Sequence, residues 1–221
     1  MEDRLVDSRP CLIRSRIVLP GRSQYGTVSF FTDWRAWMRS KDKAQKWVTA
    51  GLAELGRGGI DSVRVEVLAQ HMGVTKGGFY RQFKDRDELL KTMLDCWVDG
   101  RLEAIAGQMD LKGAGPEERL RAVIDLFTQR LNTEGIAIEL AIRQWARSNK
   151  PAAEAVERVD AARLKLVAPL YRSLGFSSTQ ADARALLFYS FLFGQSLLLF
   201  STPRARRKTL LQACAAVLIP G

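Results

Sequence analysis

The sequence has little cysteine and almost no histidine, and this removes several classes of protein at the outset. Its 221 residues contain three cysteines, Cys11, Cys96 and Cys214, and a single histidine, His71. A zinc module needs clustered cysteine and histidine ligands, and a disulfide scaffold needs several cysteines, usually an even number. Neither can be the basis of this fold, and the isolated thiols fit a protein of the reducing cytoplasm.

Long apolar runs are also missing. Residues 1–33 contain no continuous apolar segment of the kind found in signal peptides. The most apolar stretch, 186–200, is interrupted by Ser190, Gly194 and Gln195 and is short for a membrane span. We therefore expect no membrane anchor, and we interpret 186–200 as a helix that is buried against a partner subunit.

Groupings of residues that are typical of enzymes are not evident either. The glycines of 56–59 follow a helical pattern rather than a strand, so they do not form a phosphate-binding loop. The carboxylate pairs Glu134/Glu139 and Asp95/Asp99 sit at ordinary helix spacing, and we expect them to face solvent. No nucleophile is spaced with a base. The sequence predicts a protein that is not an enzyme, with no catalytic residues, no metal and no cofactor.

What the sequence does contain is positive charge. Lysine and arginine number 34 against 24 aspartates and glutamates, for a formal net charge of +10. Such a surplus favours polyanionic partners such as nucleic acid or an acidic membrane surface. Because the surplus is spread along the chain, charge alone indicates nucleic-acid binding only weakly.

Apolar residues recur at helical spacing from about Trp34 onwards, and no alternating strand pattern is evident. The sequence therefore predicts an all-α fold. Proline and glycine positions and capping residues mark the helix ends, and Pro169 is expected to kink its helix. The predicted boundary residues are Gly56, Gly58, Gly59, Asp85 with Glu88 as a capping box, Pro116, Gly135, Pro151, Gly175, Ser178 and Pro203.

Residues 62–83 carry the most informative pattern, two short helical segments that flank a glycine. In a helix-turn-helix the first helix braces the second, which enters the DNA major groove. Leu68 and Ala69 are expected to pack against the second helix, and Gly73 to supply the positive φ of the turn. We expect Val74 to be buried behind the turn and Thr75 to cap a second helix over 75–83.

Side chains of the second helix are the candidate DNA contacts. Lys76 and Arg81 are long enough for base edges or phosphates, and the Tyr80 hydroxyl suits a phosphate. Gly77 and Gly78 are poor helix formers, which indicates a backbone that must approach DNA closely.

The start of the next helix extends this candidate surface. Lys84 and Arg86, with the helix N-terminal amides, are predicted to form a phosphate clamp. The predicted DNA-binding residues are Arg64, Thr75, Lys76, Gly77, Gly78, Tyr80, Arg81, Gln82, Lys84 and Arg86.

The same stretch resembles the TetR family of transcriptional repressors, in the combined spacing of Gly73, Tyr80, Phe83 and Leu89 and over residues 47–94. The resemblance implies a three-helix DNA-binding head, a helical body with a ligand pocket, and a homodimer formed mainly by the last two helices. Three positions depart from the family pattern. Gly78 stands where threonine or serine is frequent, Gln82 where histidine is common, and Arg64 where a threonine or serine cap is usual.

The segment after residue 85 is rich in aromatic residues. Some of them are expected to line a pocket for an apolar or aromatic effector, on helices that form the pocket in related folds. The predicted ligand-binding residues are Trp97, Phe127, Gln144 and Trp145. Cys96, next to Trp97, is interpreted as a small buried apolar residue rather than a redox sensor.

Together these patterns predict a dimeric, cytoplasmic transcription regulator, more specifically a repressor that a small-molecule effector releases from a palindromic operator. The predicted segments are a flexible basic arm (1–33), a helix-turn-helix DNA-binding domain (34–84) and a ligand-binding and dimerisation domain (85–221). A misassigned translation start would also account for 1–33. Two alternatives stay open at this point, a non-specific DNA-binding protein and a helical small-molecule carrier or enzyme.

Overall fold

The computed structural model describes residues 43–109, 113–128, 133–198 and 203–219, and every regular element in these ranges is helical. The all-α prediction is confirmed. The predicted arm, 1–33, and the predicted helix start near Trp34 lie outside the described residues. The helices are α1 (Lys43–Gly58), α2 (Val65–Met72), α3 (Lys76–Tyr80), α4 (Arg86–Met109), α5 (Pro116–Thr128), α6 (Thr133–Ala146), α7 (Lys150–Ser173), α8 (Ser178–Leu197) and α9 (Arg204–Leu218), with a 3-10 turn, Ile60–Ser62, after α1.

We call α1–α3 the head and α4–α9 the body. One apolar core runs through the whole head and into the body. It contains Trp47 of α1, Leu68 of α2 and Phe79 of α3, together with Trp97 of α4 and Ile142 of α6. The rings of Trp47 and Phe79 meet edge to face, with centroids 5.3 Å apart. Because the cluster is continuous, the head packs directly on the body rather than standing apart from it.

Two glycines let α1 approach the body closely. A Cβ atom at Gly51 would lie 2.6 Å from Sδ of Met93 in α4, and one at Gly56 would lie 3.0 Å from Cγ1 of Ile138 in α6. Both distances are shorter than normal packing permits, so a side chain at either position would require its neighbour to move. Helix α1 is thus held against two helices of the body.

A second apolar core lies in the distal part of the body, between α5, α7, α8 and α9. Tyr171, Phe188 and Leu192 are among its buried members. The Tyr171 hydroxyl donates a hydrogen bond of 2.8 Å to the carbonyl oxygen of Leu218, which joins α7 to the end of α9. Burial raises the pKa of Tyr171 to about 12. No helix among the described residues is long and apolar enough to cross a membrane.

Several predicted helix boundaries are confirmed. Pro116 begins α5, Pro203 is the residue before α9, and Gly175 follows α7 with a φ of 89°. Pro151 lies in the first turn of α7. The N-cap residue of this helix is Asn149, whose side chain accepts a hydrogen bond from the Ala152 amide.

Other predicted boundaries are wrong. Gly135 does not separate two helices, because it lies within the first turn of α6. Gly56 lies inside α1, whereas Gly58 is the last residue of α1 and Gly59, with a φ of 75°, follows it, so the predicted end at these two glycines is confirmed. Gly135 and Gly56 thus lie within helices and do not break them.

The cap of α8 is also shifted by one residue. Ser177, not Ser178, is the capping residue, since its hydroxyl accepts from the Gln180 amide. The Gln180 side chain accepts in turn from the Ser177 amide at 3.1 Å, which completes a capping box. The two serines are adjacent, and the glutamine three residues after the first selects between them.

Candidate nucleic-acid interface

Helices α2 and α3 form a helix-turn-helix that is joined at Gly73. This glycine has φ 65° and ψ 33°, the left-handed conformation that the sequence predicts there. Its amide bonds to the carbonyls of Ala69 and Gln70, and the Val74 amide bonds to Ala69 as well. Leu68 and Ala69 are buried as expected. These hydrogen bonds end α2, and the left-handed conformation of Gly73 turns the chain into α3.

Three details of this segment differ from prediction. Val74 is 45% exposed and is not a buried plug, because Phe79 and Phe83, stacked at 5.4 Å, supply the core beneath the segment. Thr75 occupies the N-cap position of α3, but its side chain makes no capping hydrogen bond. Helix α3 ends at Tyr80 and a turn follows, so the predicted span 75–83 is too long.

Most of the predicted DNA-binding side chains lie at the surface of this motif. The structure does not test contact with DNA, so their role stays a prediction. Tyr80 is 60% exposed, and its ring leans edge-on against Phe79 with centroids 5.2 Å apart. The exposed members are Arg64, Thr75, Lys76, Gly77, Tyr80, Arg81 and Lys84, and the half-buried ones are Gly78, Gln82 and Arg86.

The two glycines of α3 are not required by the interior of the protein. A Cβ atom at Gly77 would meet only the Thr75 hydroxyl at 3.8 Å, and one at Gly78 only the Trp47 ring at 3.9 Å. Both are ordinary contact distances, and neither glycine has a positive φ. Nothing inside the head therefore excludes alanine at either position, and the predicted close approach of DNA stays a prediction.

Lys76 has a partner that sequence reasoning missed. Its ammonium lies 2.8 Å from the carboxylate of Glu66, in the first turn of α2. The hydrogen bond from Lys76 lowers the pKa of Glu66, and the hydrogen bond to Glu66 raises the pKa of Lys76. Both groups are therefore charged at neutral pH. The available signal was an acidic residue within a segment otherwise rich in basic residues.

Arg86 has a structural role in addition to its predicted place in a phosphate clamp. Its Nε and Nη2 donate to the carbonyl oxygens of Val63 and Ile60, at 2.6 and 2.7 Å. These bonds connect the first turn of α4 to the chain just before α2. Lys84, in contrast, is exposed. Sequence reasoning missed the role of Arg86 because its acceptors are backbone atoms more than 20 residues earlier.

The start of α4 is capped as predicted, with one change of partner. The Glu88 amide donates to Asp85 Oδ1 at 2.9 Å, which is the expected half of a capping box. The Glu88 carboxylate, however, accepts from the amide of Lys84 rather than that of Asp85. The reciprocal bond is thus made one residue earlier, and it also holds the backbone of Lys84.

His71 is a half-exposed residue of α2. Its Nδ1 lies 3.2 Å from the carboxylate of Glu54, which is 8% exposed, and Arg57 approaches the same carboxylate to 3.5 Å. The contact joins α2 to α1. No sequence pattern distinguished Glu54 as the buried acidic residue of the head.

The match with known proteins agrees with this geometry. Residues 48–93 match the family model described as bacterial regulatory proteins, tetR family. Over these residues the chain is similar to that family. The predicted resemblance is thereby confirmed, and the matched residues run from the second turn of α1 into α4.

Similar proteins have been described in bacteria. The HTH-type transcriptional repressor KstR of Mycolicibacterium smegmatis is 24% identical over 119 residues, which is 54% of this chain and 58% of that protein. A transcriptional regulator from Rhodococcus sp. Rha1 superposes with a TM-score of 0.64 at 18% identity, over 80% of this chain and 94% of that one. A putative transcriptional regulator from Saccharomonospora viridis, solved in complex with choline, superposes with a TM-score of 0.67 at 15% identity. The superposition covers 79% of this chain and 95% of that one. The structural likeness covers the body as well as the head and shows that these proteins share a fold.

The body of the protein contains a buried ionic cluster. Glu139 is 3% exposed, so the prediction that it faces solvent is wrong. Its carboxylate lies within 3.2 Å of Arg101, Arg143 and Arg163, and Asp160 pairs with the last two. Burial by itself would raise the pKa of Glu139, but the guanidinium charges of Arg163 and Arg101 outweigh it and lower the pKa to about 2.

This cluster lies at the boundary between the two apolar cores. On α7, Val159 belongs to the core shared with the head and Leu166 to the distal core, and Arg163 lies between them. The guanidinium groups of Arg143 and Arg163 also cover the Phe193 ring, at 4.5 and 4.9 Å from its centroid. The body thus contains a charged layer between two apolar ones.

The predicted ligand-binding residues fall in different environments. Trp97 and Trp145 are buried, and Gln144 is exposed. The side chain of Phe127 lies outside the described residues. Trp97 Nε1 is buried and has no hydrogen-bond partner in the described part of the chain. Cys96 is buried, as interpreted from the sequence. The ligand-binding role of the four residues stays a prediction.

Proposed function

We propose that this protein is a dimeric transcription repressor of the cytoplasm, which binds a near-palindromic operator and leaves it when an effector binds the body. One observation carries the DNA-binding part. Helix α3 follows an αL glycine in a TetR-family head and presents Lys76, Gly77 and Tyr80 to solvent. This is the arrangement in which a helix-turn-helix inserts its second helix into the major groove.

The proposed DNA contacts divide into two kinds. Lys76 and Arg81 lie on and just after the recognition helix and suit base edges or adjacent phosphates. Tyr80, Lys84 and the N-terminal amides of α4 suit phosphates, which position the head without recognising sequence. Glycine at 77 permits the backbone of α3 to lie against the floor of the groove.

The proposed dimer forms through α8 and α9. The stretch that we expected to be buried against a partner, 186–200, carries several large apolar side chains that are exposed in the single chain. An apolar surface of this kind is covered in most soluble proteins, and a second copy would cover it symmetrically. The exposed large apolar side chains on the described parts of these two helices are Leu186, Leu187, Leu197, Leu210 and Val217.

The proposed regulation acts through α4. This helix begins with Arg86, whose bonds hold the chain before α2, and continues to Trp97 and Arg101 within the body. An effector that binds the body in only one of two arrangements shifts the population toward that arrangement, without competing for DNA. The choline complex of the Saccharomonospora viridis regulator supports a small-molecule effector for this fold.

The test is selection of bound sequences from random DNA duplexes by the purified full-length protein at near-physiological salt. The expected result is enrichment of a palindrome, which Tyr80→Ala and Lys76→Ala abolish. Lys165→Ala removes an exposed lysine from α7 and serves as the matched control, with no effect expected. Binding without any enriched sequence would favour a non-specific DNA-binding protein. Absence of binding would favour a carrier or an enzyme.

A further inference from the structure

The ion pair of Glu66 and Lys76 lies on the surface that is proposed to face DNA. Glu66 belongs to the first turn of α2 and Lys76 is the first residue of α3, with 2.8 Å between carboxylate and ammonium. Their side chains are 60% and 57% exposed. The carboxylate of Glu66 therefore lies at the N-terminus of the recognition helix, next to the first basic residue of that helix, Lys76.

A carboxylate in this place weakens binding to DNA in general. Affinity for any duplex arises mainly from cations that neutralise phosphates and release counterions. Glu66 already neutralises Lys76, and it repels any phosphate that comes near. The pair is thus poorly suited to the non-specific role of binding the DNA backbone.

The major groove, however, presents a hydrogen-bond donor that a carboxylate can use. Cytosine exposes its N4 amino group there, and glutamate accepts from it. Adenine also exposes an amino group, but its neighbouring N7 is a hydrogen-bond acceptor, and the lone pair of N7 repels a carboxylate. The guanine paired with the cytosine presents O6 and N7, which accept from lysine. One G·C base pair therefore offers a partner to each member of the ion pair.

We propose that Glu66 and Lys76 act as one unit that recognises a G·C base pair in each half-site, with Glu66 selecting cytosine. The inference rests on the proposed function, since it concerns the same recognition surface. Glu66 accepts from the cytosine amino group, and its carboxylate fixes the Lys76 ammonium toward the guanine. The same carboxylate disfavours sites where a phosphate or an acceptor atom would face it, so it contributes specificity at the expense of affinity.

The experiment repeats the selection from random duplexes with the wild-type protein, Glu66→Gln and the double variant Glu66→Gln/Lys76→Gln. Glutamine keeps the shape of the side chain and removes its charge. Glu157→Gln, an exposed glutamate on α7, is the matched control. Circular dichroism and thermal unfolding verify that each variant is folded.

The wild-type protein is expected to enrich cytosine at one position of each half-site. Glu66→Gln should keep the rest of the palindrome and reduce the preference at that position by about tenfold. It should also bind unrelated duplexes more tightly. The slope of the logarithm of the binding constant against the logarithm of the salt concentration should become steeper by about one. The double variant also lacks the lysine, so it should lose the whole palindrome, as Lys76→Ala does, and its salt dependence should return to that of the wild-type protein.

Two outcomes separate this inference from the proposed function. A wild-type palindrome that Glu66→Gln leaves unchanged, with the same preference at every position, would overturn the role of Glu66 and leave the regulator standing. A wild-type protein that enriches no sequence would overturn the proposed function itself. A merely structural role of Glu66 would change the melting temperature and the overall affinity without changing the preference at one position.

Discussion

Arg86 of α4 donates a hydrogen bond of 2.6 Å to the carbonyl oxygen of Val63, in the segment that leads into α2. A second bond from the same guanidinium reaches Ile60 at 2.7 Å. The helix that continues into the body is therefore joined to the helix that braces the recognition helix. This relationship makes Arg86 a positioning residue for the head, and it suggests the first prediction.

Arg86→Lys should destabilise the protein by about 2 kcal/mol, because a lysine ammonium cannot reach both carbonyl oxygens with the geometry of a guanidinium. Urea unfolding measures the change. Arg81→Lys, on an exposed side chain, is the control and should leave the free energy of unfolding almost unchanged. If Arg86→Lys were as stable as wild type and only bound DNA less tightly, the phosphate role predicted from the sequence would be the correct one.

Gly77→Ala should stabilise the fold and weaken DNA binding. Alanine adds about 0.5–1 kcal/mol of stability in a helix, and the structure offers room for its methyl group. On DNA the same methyl group meets the groove, and a loss of affinity of about tenfold corresponds to only about 1.4 kcal/mol. Thermal unfolding and titration of the selected operator measure the two effects.

Gly73→Ala provides the contrast for this experiment. Its φ of 65° is unfavourable for alanine, so this variant should lose stability together with DNA binding. A Gly77→Ala variant that bound the operator as tightly as wild type would show that the backbone of α3 does not approach DNA closely.

Glu139→Gln should destabilise the body by about 3–5 kcal/mol, because it leaves buried guanidinium groups without their shared counter-ion. The pKa of Glu139 is lowered from 4.5 to about 2 in the folded protein. The contribution of Glu139 to the free energy of unfolding is therefore fully present above the pKa of this carboxyl in the unfolded chain. It is lost as the pH falls from about 4.5 to about 2. The variant should show a weaker dependence of stability on pH in that window.

Guanidinium unfolding at a series of pH values between neutrality and pH 3 checks this prediction. Glu157→Gln, on an exposed side chain, should follow the wild-type curve throughout. Equal acid dependence in Glu139→Gln and wild type would mean that the cluster does not hold a buried carboxylate with a lowered pKa.

Val217→Asp should convert the dimer to a monomer. Val217 is 80% exposed on α9 in the single chain, and the proposed interface would bury it. An unpaired charge in an apolar interface is strongly unfavourable. Sedimentation equilibrium measures the change, with Leu164→Asp as the control at an exposed apolar position on α7. A wild-type protein that sediments as a monomer would contradict the proposed interface.

Patterns that depend on near neighbours in the chain were predictable. The helical period, the αL glycine at position 73 and the Asp85 cap with Glu88 all depend on backbone geometry within a few residues. The TetR resemblance adds the arrangement of the head, because that motif is contiguous. Where two local signals were equivalent, as with Ser177 and Ser178, the prediction was wrong by one residue.

Long-range partners were not predictable by the same reasoning. Glu139 has the helix spacing of a solvent-facing residue, yet α4 and α7 pack on α6 and surround it with arginines. Val74 has the composition of a core residue, yet Phe79 and Phe83 supply the core beneath its segment. In each case the environment comes from residues that are remote in sequence or that compete for the same space.

The sequence by itself determined the helical class, the position of the helix-turn-helix and the family that it resembles. These follow from periodicity, glycine conformation and the spacing of a contiguous motif, which are properties of short stretches of chain. Only the tertiary structure decided that Glu66 pairs with Lys76, that Arg86 joins α4 to the chain before α2, and that a charged layer divides the body. Such contacts depend on how helices pack, and packing brings together side chains whose separation in sequence carries no signal of their distance in space.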